Sequence, residues 1–192
     1  MYKICKTERS FARQRQLEEG ILNFLEEVSF FDLEIADLCR YLSIPRKTFY
    51  RYFGSKEDAL YALVDHRLYD MELFVSDQLP NGTGTPSEHA LHFFQYWKKQ
   101  YRFLDVMQKN LLLGVIAIRA VALHTGTPSA DMPSAAQPQS SSAFVSNFYI
   151  SGLMSMMFQW YTSGFGMDIR ELARLAGTLT DTPLCRLEFQ RD

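Results

Sequence analysis

The sequence predicts an all-α protein: a short N-terminal group of three helices, one long connecting helix and a larger helical body. Three observations predict it. Apolar residues recur at three- and four-residue intervals along most of the chain, β-branched residues are sparse and never alternate over five or more positions, and Gly and Pro gather into a few stretches that punctuate the periodic segments. With 47% hydrophobic and 22% charged residues in a chain of 192, composition excludes wholesale disorder and a disulfide scaffold. No internal repeat is visible.

Residues 11–25 read as a first amphipathic helix, with Leu17, Ile21, Leu22, Phe24 and Leu25 at helical spacing among Glu and Arg. Asp32 is placed to cap a short second helix in which Leu33 or Ile35, Leu38, Cys39 and Leu42 face inward. Ser43-Ile44-Pro45 interrupts it, because proline disfavours the helical basin for the residue before it and belongs to a turn or a helix start. A third helix over 46–52 then ends at Gly54. Ser55-Lys56-Glu57-Asp58 resembles a capping box and opens a long fourth helix through Leu60, Leu63, Val64, Leu68 and Met71.

Residues 80–86, PNGTGTP, read as a linker, with Ser87 capping the next helix. Ala90, Phe93, Phe94, Trp97, Tyr101 and Leu104 trace an apolar stripe, and 111–123 is apolar apart from Arg119. The Gly-, Pro-, Ser- and Gln-rich stretch at about 125–142 is expected to be a mobile loop. Two helices close the chain, over 144–161 and over 169–179, the latter capped by Asp168. The expected division is a head at 1–55, a linking helix at 56–79 and a body at 80–192.

Net charge is only −2, yet from Leu38 to Lys56 every charged residue is basic: Arg40, Arg46, Lys47, Arg51 and Lys56. A local basic stripe suits phosphate contact whatever the total charge, since each neutralised phosphate releases counterions. Two helices around a three- to four-residue turn form the element whose second helix fits a major groove about 12 Å wide. In the second of these, Phe49 and Phe53 lie four apart and can anchor the helix. Arg46, Lys47, Thr48, Tyr50 and Arg51 then offer donors to phosphates and base edges, while Tyr52 reads as a core aromatic.

Residues 48–60, TFYRYFGSKEDAL, with Ile35-Ala36-Asp37-Leu38-Cys39 and Ser43-Ile44-Pro45-Arg46-Lys47-Thr48 ahead of them, are similar to the DNA-binding head of the TetR (tetracycline-repressor) family of bacterial regulators over residues 10–66. Ser43 stands where the family commonly has Gly, Glu34 where a small hydroxyl residue often caps the second helix, and Pro45 where Ser often caps the third. The resemblance implies that Thr48 and Tyr50 contact base edges or phosphates, that Arg46 and Lys47 start the groove-facing surface, and that Lys56 holds a phosphate. More weakly, residues 93–105 and 149–164 are similar to one subgroup of TetR C-terminal domains, which implies a homodimer and an enclosed effector pocket. The expected function is therefore a double-stranded DNA-binding regulator, a repressor released from a palindromic operator by a small-molecule effector, with no cofactor.

The dimer has independent support in the sequence. No charged residue occurs between Asp131 and Asp168, and the helix at 144–161 is apolar on more than one face. Phe144, Phe148, Ser151, Gly152, Ser155 and Phe158 are the expected interface, in an isologous contact. A membrane span is disfavoured because Ser146, Asn147, Ser151, Ser155 and Gln159 interrupt that stretch. Phe93, Tyr96, Trp97, Tyr101, Met107, Phe148, Met157 and Trp160 are the candidate effector-lining side chains, with core packing the plain alternative.

An enzyme is not expected: no Gly-rich phosphate loop, GxSxG elbow or HExxH motif occurs. His89 and His92 share a helix face and with Glu88 could begin a metal site, though surface histidines are commoner and none is expected. The other rival is a helical ligand-binding or protein-interaction module without operator binding, against which the intact basic run argues. Cys5, Cys39 and Cys185 have no CxxC spacing, and Lys3, Lys6, Arg9, Arg13 and Arg15 stand where a signal peptide needs an apolar run. The expected location is the bacterial cytoplasm, at the nucleoid when bound to DNA.

Overall fold

A computed structural model describes residues 2–79, 84–125 and 141–181. Nine helices lie among the described residues: α1 (Glu8–Glu27), α2 (Ile35–Tyr41), α3 (Arg46–Tyr52), α4 (Lys56–Gln78), α5 (Pro86–Lys99), α6 (Tyr101–Lys109), α7 (Leu113–Thr125), α8 (Ser141–Thr162) and α9 (Ile169–Asp181). The protein is all-α, as the periodicity predicts. The mobile loop expected at about 125–142 falls, over 126–140, outside the described residues.

Several helix ends differ from the sequence reading for local reasons. α1 begins earlier than expected because Thr7 and Ser10 form a reciprocal capping box. Asp32 does not cap α2: it lies in a turn, its N–H donating to Ser29 O, and Glu34 takes the cap position without a side-chain bond. Leu33 N–H likewise donates to Phe30 O within this turn, and its side chain is buried. Thr85 rather than Ser87 caps α5, in a capping box with Glu88, because Pro86 occupies the first helical turn, where a missing N–H costs nothing. The aromatic stripe that continues in phase from Phe93 to Leu104 is broken at Gln100 into α5 and α6. Asp168 does cap α9, accepting from the N–H groups of Arg170 and Glu171.

The chain forms two compact units. The first comprises the described residues through Leu68 together with Arg102 through α7; the second comprises those between Tyr69 and Tyr101 with α8 and α9. α4 therefore supplies its first part to one unit and its remainder to the other. In the first unit Leu17, Leu22, Leu25, Leu38, Phe49, Phe53, Leu63, Leu104 and Ile116 are buried together with the polar residues Gln14, Glu18, Asp65 and Asn110. In the second, α5 packs on α8 and α9 around Phe93, Phe94, Trp97, Met157 and Trp160. Gly177 lets α9 approach closely, since a Cβ there would lie 3.0 Å from the backbone N of Ser87. No single described helix is long and apolar enough to cross a membrane.

Candidate nucleic-acid interface

α2 and α3 meet through a turn in which Ser43 adopts a left-handed conformation, φ 52°. This is the position where glycine would be relaxed. Ser43 N–H and Ile44 N–H donate back to Arg40 O and Cys39 O, and Pro45 then sets the entry to α3. The departures at Ser43, Glu34 and Pro45 thus leave the helix-turn-helix intact while removing two side-chain caps.

Successive residues of α3 rotate by about 100°, so its seven residues divide cleanly. Phe49, Tyr52 and the following Phe53 are buried, the two phenylalanine rings 5.3 Å apart. Arg46, Lys47, Tyr50 and Arg51 point to the exposed side, and Thr48 is half-buried at the edge. Exposure separates the two tyrosines: 54% for Tyr50 and 6% for Tyr52. The exposed arc carries three cations and no carboxylate. Burial raises the pKa of the Cys39 thiol behind it, with Arg46 partly opposing, so the thiol stays protonated.

Lys56, to which the family resemblance assigns a phosphate, is held by backbone carbonyls. Its Nζ donates to Phe30 O, Phe31 O and Leu33 O, each at 3.1 Å, and lies 5.3 Å from the Phe30 ring centroid. An ammonium has three protons, and all three are engaged by the loop between α1 and α2. Lys56 positions that loop, and hence α2, rather than presenting a free charge.

Two further groups position the motif without a signal in the sequence pattern. Asn110, buried at the end of α6, accepts from Phe30 N–H at 2.7 Å and donates to Leu25 O at 3.2 Å and Val106 O at 2.8 Å. Asp65 on α4 accepts two bonds from Arg119 on α7, at 2.7 and 2.5 Å, and one from the Tyr2 hydroxyl at 2.8 Å. Burial, then the Asp65 carboxylate, pushes the Tyr2 hydroxyl pKa up, and the hydrogen bond to Asp65 raises that of Arg119. Tyr2 belongs to an N-terminal arm that sequence reasoning weighed only against a signal peptide. Lys3 N–H donates to Tyr52 O at 2.9 Å, and Cys5 Sγ to Gln14 Oε1 at 3.0 Å.

The expected effector-lining residues do not converge. Phe93, Tyr96, Trp97, Met157 and Trp160 are buried in the second unit, where Phe94 meets Trp160 edge-on and Trp160 Nε1 donates to Met167 O. Met107 is buried in the first unit, and Tyr101 is exposed. Phe148 alone of the eight borders the apolar groove of about 550 Å³ formed in the second unit by α5, α8 and α9. Of the expected dimer face, Phe144, Phe148, Ser151, Gly152 and Ser155 are exposed, at 63% and 68% for the two phenylalanines, and Phe158 is half-buried. His89 lines the groove while His92 Nδ1 faces Gln95, and among the described residues no three metal-ligating side chains converge.

Among solved structures, the chain is similar to the fatty acid degradation regulator FadR from Bacillus halodurans, at 12% identity and a TM-score of 0.52, over 94% of this chain and 98% of that one. Superantigen PfiT follows at 13% identity and a TM-score of 0.47, over 86% and 94%. No family model and no curated protein matches the sequence. What the chain shares with the fatty acid degradation regulator, across nearly the whole of both chains, is a helical fold.

Proposed function

We propose that this protein is a DNA-binding transcriptional regulator of the TetR type, a homodimer that inserts two copies of α3 into successive major-groove turns of a palindromic operator. The observation that carries the reading is the division of α3, with Phe49, Tyr52 and Phe53 inside and Arg46, Lys47, Tyr50 and Arg51 outside, Thr48 at the edge. A helix held this firmly by its aromatic side, with cations and a phenol on the other, suits major-groove recognition. The fold shared with a regulator supports it. Lys56 enters as a positioning residue.

One copy of a seven-residue helix reads few base pairs, so the dimer is integral to the proposal. Phe144, Phe148, Ser151, Gly152 and Ser155 form an uncharged exposed stripe along α8, which an isologous contact would cover. The protein acts as a repressor, released when a small-molecule effector binds one dimer geometry more tightly than the other. The groove bordered by Phe148, Tyr149, Leu153 and Met156 has the size that small ligands occupy.

Selection of bound fragments from random-sequence duplex DNA tests the reading directly. Two inverted half-sites with centres about 34 Å apart are expected, and Tyr50→Ala should weaken binding to the selected site by about 1–3 kcal/mol. No enrichment, or a variant that binds as tightly as the parent, sinks it.

A further inference from the structure

The N-terminal arm and the start of α1 enclose, with the end of α3, an open cavity of about 850 Å³. Lys3, Lys6, Arg9, Arg13 and Arg51 line it, together with the hydroxyl residues Thr7 and Ser10, and no acidic residue does. Among the described residues none of the five cations is ion-paired; Arg13 makes only a 3.1 Å bond to Gln16 Oε1. Glu8, in the first turn of α1, is the acid nearest in sequence and does not line the cavity. Four arm and α1 cations beside a fifth on α3, with no carboxylate among the lining residues, make an electropositive surface suited to a polyanion.

The cavity is also built. Tyr2, Lys3 and Cys5 are each tied down, to Asp65, to Tyr52 O and to Gln14, so the backbone that carries Lys3 and Lys6 is fixed against the C-terminal end of α3. Arg51 guanidinium lies 5.1 Å from the Tyr52 ring centroid, on the α3 residue whose carbonyl receives the arm.

We propose that this cavity is a second phosphate-binding surface, in which Lys3, Lys6, Arg9 and Arg13 hold the sugar-phosphate backbone flanking the base pairs that α3 reads. The proposal rests on the regulator reading above and extends it from one helix to a clamp: Arg51 joins the two surfaces, and the arm adds affinity without adding sequence preference.

The test compares the parent protein with a K3A/K6A/R9A/R13A variant on the selected duplex, by fluorescence anisotropy across a salt series. All four side chains are exposed and the arm's three anchors are untouched, so thermal melting should match the parent. Expected is a salt slope reduced by about 0.9 for each phosphate that is no longer neutralised, with roughly tenfold or greater weakening at low salt, and the same consensus on repeated selection. An unchanged slope overturns the clamp and leaves the regulator reading standing. A changed consensus also overturns it, because the arm would then be reading bases. A parent protein that binds no duplex overturns the regulator reading and the clamp with it.

Discussion

The two compact units are stabilised by different kinds of interaction. In the first, the buried polar residues are Gln14, Glu18, Asp65 and Asn110, ion pairs run from Arg15 to Glu18, from Arg67 and Arg102 to Glu19, from Arg102 to Glu26 and from Arg119 to Asp65, and His66 Nδ1 is hydrogen-bonded to Glu18. In the second, Phe74 faces Tyr96, Phe93 faces Phe94 and Trp97, and Trp160 meets Phe94 and Phe165. Hydrogen bonds are confined to a narrow range of distance and angle; aromatic pairs keep preferred orientations but tolerate ring-centroid separations of about 4.5–7 Å. Among the described residues the four buried polar side chains all lie in the unit that holds the helix-turn-helix, where directional bonds join segments distant in sequence, while the core of the unit with the exposed apolar stripe is mainly aromatic and apolar.

Substitutions that keep shape but change polarity are the sharpest way to break this contrast. Asp65→Asn should have the largest effect, about 3 kcal/mol in urea unfolding, because the half-buried Arg119 is left charged without its counter-ion. A loss below about 1 kcal/mol would mean that Arg119 finds other partners. Asn110→Leu keeps the branching and heavy-atom count of the side chain but strands Phe30 N–H and Leu25 O, and should lower stability by about 2–3 kcal/mol. By contrast Met157→Leu, fully buried in the second unit, should change the same midpoint by about 1 kcal/mol or less. Were Met157→Leu to cost as much as Asn110→Leu, the contrast between the units would collapse. The smallest effect has the opposite sign. Ser43→Gly removes a left-handed strain of about 1–2 kcal/mol and adds unfolded-state entropy of about 0.5–1 kcal/mol, for a net gain near 0.5 kcal/mol.

What could be read from the sequence divides in the same way, between local and tertiary causes. α3 was legible at 46–52 because Pro45 and Gly54 punctuate it, and the Asp168 cap because the cap residue immediately precedes its helix. The break at Gln100 was not, since Phe93, Trp97, Tyr101 and Leu104 keep one phase across it. Tyr50 and Tyr52 are alike in composition and are separated only by the rotation of α3 about its buried side. Lys56 shows the limit most plainly. Its charge reads as a phosphate ligand, while its hold on the three carbonyls of the loop ahead of α2, 23 to 26 residues away in sequence, becomes visible only in the fold. Likewise Asn110 is one more polar residue at the end of an amphipathic helix, and the partners that give it meaning lie 80 and 85 residues away.

The Asn110 bonds bear on how such a protein can be altered. Because the loop before α2 and the end of α1 are hydrogen-bonded to a side chain beyond α6, the helix-turn-helix is not a cassette that can be cut out at residue 55 and joined to another body. A transplanted segment would carry an amide and a carbonyl whose partner stayed behind. Exchange of whole heads must bring α6 along, as a piece discontinuous in the chain. Change confined to the exposed side chains of α3 leaves those bonds untouched, and is the route open to drift and to engineering alike.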